Sequence, residues 1–136
     1  MATWLDLLED DRGLSAIYGD EVPSLTCVAL HEISLHRDGP RVTLRFDLPE
    51  YPVHPPEKWL VNEFNVVQVQ LMLIGVEDVS LQGLTRDPRV DLTLERDGQV
   101  IKTATQSGST RLDIRAYAAM ITSISAYRAE ENNLES

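Results

Sequence analysis

Two segments alternate apolar and polar residues with a period of two, and that alternation limits the fold more than any other feature. In RVTLRFDL, Val42, Leu44, Phe46 and Leu48 share one phase, and Arg41, Thr43, Arg45 and Asp47 share the other. In RVDLTLERDGQV, Val90, Leu92 and Leu94 alternate with Arg89, Asp91, Thr93 and Glu95. Successive side chains of a strand point to opposite faces, so each segment predicts a strand with one dry and one wet face. Asp97-Gly98 predicts a hairpin turn, because both residue types tolerate positive φ, and Val100 to Thr105 then forms the return strand.

Further strands follow from the same reasoning. In SLTCVALHEISLHRDGP, Val28 and Leu30 lie in one phase and Ile33 and Leu35 in the other, which a bulge near His31 and Glu32 reconciles. RDGP reads as a turn. NVVQVQLMLIG places Val67, Val69, Leu71 and Leu73 on one face, with Gln68 and Gln70 among apolar residues on the other. DVSLQGL reads as a short strand, followed by turns at TRDP and, later, SGS. The segment from Leu112 to Tyr127 carries two signals. Ile114, Tyr117, Ile121 and Ile124 would line a helix, whereas Leu112, Ile114 and Ala116 alternate and ITSIS is β-branched. The strand reading is taken, with helix left open.

Near the start, Trp4, Leu7 and Leu8, then Leu14, Ile17 and Tyr18, recur at helical spacing, with Thr3 as an N-cap and Gly19 as a terminator. The sum is a mainly β (β-rich α+β) protein. About seven strands in antiparallel sheet form a sandwich or open barrel, with short N-terminal helical turns capping one end. Residues 1–128 are read as a single domain and residues 129–136 as a polar frayed tail.

The charge balance of the 136 residues, 12 basic against 22 acidic for a net charge of −10, argues against nucleic acid and membrane as direct partners and favours a basic protein. Cys27 is the only cysteine and lies in an apolar run, so it is expected to be a buried, inert thiol in a reducing compartment. MATWLDLLEDDRG lacks the pattern of a signal peptide. The uncharged stretch Phe64 to Val76, 13 residues with two glutamines and an asparagine, is too short and polar to span a bilayer. A cytoplasmic location is expected.

Catalytic and metal signatures are missing from the sequence. His31 and His36 would point to opposite faces of a regular strand, and only a bulge could bring them together; His54 sits between prolines. There is no HExxH, GxSxG or CxxC motif and no glycine-rich phosphate loop. Asp10-Asp11, Asp20-Glu21, Glu77-Asp78 and Glu130-Glu131 are sequence neighbours on solvated segments. No cofactor, metal or catalytic residue is assigned. The stretch LPEYPVHPPEKWL predicts a stiff, extended crossing, since each proline fixes its own φ and disfavours helix before it. Trp59 would pin this loop as a lid over the core. Contact charges are sought on stiff or capping segments, where ordering costs least: Glu9, Asp10 and Asp11 at the first helix, and Glu50, Glu57 and Glu63 around the proline loop.

The order of LSAIYGDEVPSL, ISLHRDGPRVTLRFDL, PPEKW, FNVVQVQLML and a late SAY resembles the family-50 immunity proteins of bacterial polymorphic toxin systems, from Trp4 to about Arg128. The resemblance implies a small cytosolic protein that binds and neutralises a cognate toxin and is not an enzyme. Pro55, Pro56, Lys58 and Trp59 belong to a family-like motif whose implied role is structural. Many toxins of this kind are basic nucleases, which suits an acidic partner. The alternative is a small-ligand-binding protein or enzyme with a pocket in the barrel mouth, and a third is a scaffold that self-associates through a strand edge.

Overall fold

The structure, a computed structural model, describes residues 3–86, 88–105 and 109–129. A 3-10 turn at Trp4–Leu7 leads to helix α1 (Arg12–Tyr18). Strands β1 (Val28–His36) and β2 (Arg41–Asp47) follow, then a short helix α2 (Glu57–Val61), then β3 (Val66–Gln82), β4 (Arg89–Val90), β5 (Leu92–Asp97), β6 (Val100–Thr105) and β7 (Arg111–Tyr127). They form one 7-stranded sheet in the order β4-β1-β2-β3-β7-β6-β5, with every neighbouring pair antiparallel. The two outermost strands, β4 and β5, are separated in sequence by Asp91 alone. That adjacency curls the sheet into a nearly closed barrel and removes most of the edge that an open sheet would expose.

The alternation read from the sequence sets which side of the wall is dry. Val42, Leu44 and Phe46 of β2 pair with Leu73, Leu71 and Val69 of β3, and all six are buried in the barrel interior. Burial of a side chain such as Phe46 contributes about 1.5–3 kcal/mol. The bulge expected in β1 occurs between Leu30 and Glu32. It lets Leu30 and Ile33 both face inward against Phe46 and Leu44, although their spacing breaks a strict period of two.

One element differs from its sequence reading, and one that carried two signals is strand as read. β3 is one continuous strand, not a strand followed by a shorter one. Gly75, at φ +68°, and a register shift between Val76 and Asp78 let it bend without breaking. A side chain at Gly75 would meet Tyr117 of β7 at 3.0 Å, so glycine serves both the bend and the close approach. β7 is strand over its whole length, although AYAAM favours helix. Pairing with β3 from Gln82↔Arg111 to Val66↔Tyr127 overrides that local preference.

α1 closes one end by burying Leu14 and Tyr18. The Tyr18 hydroxyl donates to the Glu50 carbonyl oxygen at 2.7 Å, and its burial raises the phenol pKa above the usual tyrosine range. The Trp4 indole nitrogen donates to Pro23 O at 2.9 Å, which ties the opening turn to the segment before β1.

Cys27 is not buried. It is exposed, with φ +62°, where the chain turns into β1, and its backbone N–H donates to the Asp91 carboxylate at 2.7 Å. The apolar run suggested an interior position, but the strand begins only at Val28. The SGS turn and the polar tail lie largely outside the described residues.

Candidate partner-binding surfaces

Three surface features could carry function, and each follows from how the strands are laid. The first is a polar network on the outer wall. The register aligns Asp47 with Gln68 and Arg45 with Gln70, so these side chains share the outer face. The bulge in β1 brings His31 onto the same face, with Nε2 2.7 Å from Asp47 Oδ2. Gln68 Nε2 donates to Asp47 Oδ1 at 3.0 Å, and the Tyr127 hydroxyl donates to Asp47 Oδ2. Arg45 extends the chain of contacts, donating to Glu32 at 3.0 Å and to Gln68 Oε1 at 3.3 Å. The bond from Arg45 lowers the Glu32 pKa, and burial with the bond to Asp47 pushes Tyr127 up to about 12.

Asp47 is thus a buried acid held by donors from three other strands. Its carboxylate side chain is 12% exposed, against 38% for His31. An ionised carboxylate in such a position is retained only when its lone pairs are met, and three donors meet them here. A His–Asp pair can also orient a general base. A cavity of about 380 Å³ lies beside His31, lined in part by Leu30, Ile33, Leu81 and Thr110. Among the described residues no serine or cysteine lines it. Among the described residues no group of three or more His, Cys, Asp or Glu side chains could hold a metal ion.

The second feature is the proline loop. It is extended as far as Pro56, which starts α2. Trp59 on α2 is half-buried against the core and packs on Tyr51, with ring centroids 6.2 Å apart and planes tilted by 43°. The family-like Pro55, Pro56, Lys58 and Trp59 therefore shape a helical knuckle rather than a flat lid, and its outer side leaves Val53, Leu60 and Val61 exposed. Of the three acids placed here by sequence, Glu50 already accepts from Ser24 N at 2.7 Å, and Glu63 lies 3.5 Å from Arg128. Glu57 is exposed in the first turn of α2.

The third is the N-terminal acidic segment. Glu9 and Asp10 are exposed and Asp11 is half-exposed. Arg12 hydrogen-bonds the Asp10 carboxylate at 2.9 and 3.0 Å and holds its pKa down at about 2. Beside these acids runs a groove of about 320 Å³ between α1 and the outer edge of β7, reaching Leu14, Met120, Ile121 and Ile124. The structure thus keeps the two sets of sequence-nominated acids on separate surfaces, the N-terminal segment and the proline knuckle.

The outer-wall network was not legible in advance. The sequence places Asp47 on a wet strand face, but its partners lie 16, 21 and 80 residues away, and only the register brings them together.

Comparison with known proteins gives the most direct indication of role. The immunity protein 50 family matches residues 11–127. The chain belongs to the immunity protein 50 family. No curated protein and no solved structure matches it. The matched span of this immunity protein 50 chain begins just before α1 and ends at Tyr127, the last residue of β7, so the family assignment covers all seven strands and both helices. Among the described residues no helix is long and apolar enough to cross a membrane.

Proposed function

We propose that the protein is a cytosolic immunity protein of a polymorphic toxin system, which binds a cognate basic toxin, such as a nuclease, and blocks it stoichiometrically. The observation that carries this reading is the family match across the whole barrel. The net charge of −10 supports it, since an acidic surface speeds encounter with a basic partner and repels nucleic acid. The protein acts by occupying the toxin surface and performs no reaction of its own. The acidic N-terminal segment and the proline knuckle are the surfaces that offer contact charge.

The test is a titration of the candidate toxin domain encoded by the neighbouring reading frame against purified immunity protein. Activity should fall linearly and vanish near one equivalent. Loss of toxin activity at a small fraction of an equivalent would indicate an enzyme that modifies the toxin, and undiminished activity would overturn the reading.

A second reading rests on the contact between His31 and Asp47 beside the cavity of about 380 Å³. An enzyme or small-ligand protein would use that pair. A His31→Ala variant that keeps its fold but loses protection would favour it.

A further inference from the structure

We infer that the groove between α1 and the outer edge of β7 is the toxin-docking site, taking an extended basic segment of the toxin alongside β7. The inference rests on the immunity reading above and specifies where the partner sits.

Three observations meet in this groove. First, β7 is paired on both sides only in part. On one side it pairs with β3 along its whole length, whereas on the other β6 reaches only as far as Ala116. The N-terminal segment then adds a single parallel bridge, Leu8 with Ala119, with the Glu9 N–H donating to Ala119 O at 2.8 Å. Among the described residues no strand continues that pairing along Met120–Tyr127. A strand edge with unpaired amides and carbonyls is a template for an added strand.

Second, the groove at this edge is lined by Ile121 and Ile124, whose β3 partners Leu71 and Val69 are buried in the interior, by Met120 on the opposite face of β7 and by Leu14 of α1, with Thr122 at the bulge in β7. An added strand places alternate side chains on opposite faces, so its inward residues would meet Ile121 and Ile124. Third, the rim is acidic. Asp10 lines the groove, and exposed Glu9 and half-exposed Asp11 flank it in sequence, with Arg12 the only basic residue between Thr3 and Glu21. Arg12 is already spent on Asp10. The proline knuckle is less one-sided. Glu63 is paired with Arg128, and Lys58 is next to Glu57 in sequence. Charge complementarity therefore assigns the basic partner to the groove.

The experiment uses the full-length chain and the toxin domain encoded by the neighbouring reading frame. Affinity is measured for the wild type, for Thr122→Arg, for Glu9→Lys with Asp11→Lys, and for Glu57→Lys with Glu63→Lys. Amide exchange across residues 119–127 is followed with and without toxin. The expected result is a loss of about tenfold or more for each groove variant, less than about twofold for the knuckle variant, and slowed exchange in 119–127 on binding. The exchange measurement on wild-type protein stands even where a variant misfolds. Tight wild-type binding with neither protection of 119–127 nor loss in the groove variants would overturn the docking site and leave the immunity reading standing. No binding by the wild type would overturn that reading itself. Protection of 119–127 in the chain alone, rising with its concentration, would overturn the inference in favour of a second copy at the edge.

Discussion

Tyr127 donates its hydroxyl hydrogen to the carboxylate of Asp47, 80 residues earlier in the chain. β3 lies between the strands that carry them, so the bond spans a strand and joins the end of β7 to the end of β2. His31 from β1 and Gln68 from β3 complete the shell around the same acid. Four strands therefore converge on one carboxylate on the outer wall, opposite the apolar interior.

Removing that acid should be costly. Asp47→Ala leaves the Tyr127 hydroxyl, the Gln68 amide and His31 without their acceptor, and is expected to lower stability by about 2–3 kcal/mol. Asp47→Asn keeps one acceptor oxygen and should cost less. Urea denaturation monitored by tryptophan fluorescence checks the order, and equal losses for the two variants would contradict the role given to the carboxylate.

Tyr127 sets an alkaline limit. Its pKa is pushed from 10.0 up to about 12, first by burial and then by the bond to Asp47. The folded state therefore holds this proton more tightly than the unfolded chain. The associated stability is fully present below pH 10 and is lost as pH rises through 12. Tyr127→Phe should flatten the fall in melting temperature over that window. An unchanged alkaline slope would show that the hydroxyl makes no such contribution.

Trp59 is half-buried and packs on Tyr51, so Trp59→Ala should cost about 2 kcal/mol, below the 3–5 kcal/mol of a fully buried large aromatic. Thermal denaturation measures it. A shift of less than about 1 °C would mean that the knuckle stands without this contact.

Gly83 is set for backbone contact. At φ +75°, an added Cβ would lie 2.1 Å from the backbone oxygen of Ser109, and the Thr110 hydroxyl donates to Gly83 O at 2.7 Å. Gly83→Ala should destabilise the protein by about 3 kcal/mol or more through strain and displacement. Normal stability in that variant would place the loop elsewhere.

Exposed Cys27 should react with a thiol reagent in the native state at nearly the rate of a free thiol, with the fold intact by circular dichroism. Substitution of Cys27, His31, His36 or His54 should leave toxin protection in place wherever the fold survives, because the inhibition proposed here is occupancy and not chemistry.

The strands of the barrel were visible in the sequence wherever one face is dry and the other wet. The phases of Val42 to Leu48 and Val90 to Leu94, the Asp97-Gly98 turn and the bulge near His31 are local patterns, and each signal spans a few residues. The family motifs were legible for the same reason. What lay beyond reach was decided by pairings between distant segments. Leu112 to Tyr127 was read as strand with helix left open, and what closes that choice is β3, which offers a partner along its whole length and outweighs the helix preference of AYAAM. Cys27 emerged at the surface because the strand starts one residue later. Asp47 turned from a wet-face charge into a buried acceptor because the register sets Gln68 beside it, while the bulge and the reach across β3 bring in His31 and Tyr127. The groove beside β7 exists because the pairing with β6 ends at Ala116 while β7 runs on to Tyr127. Periodicity is a property of a strand's own residues; register, edge and enclosure belong to pairs of strands, and only the assembled barrel decides them.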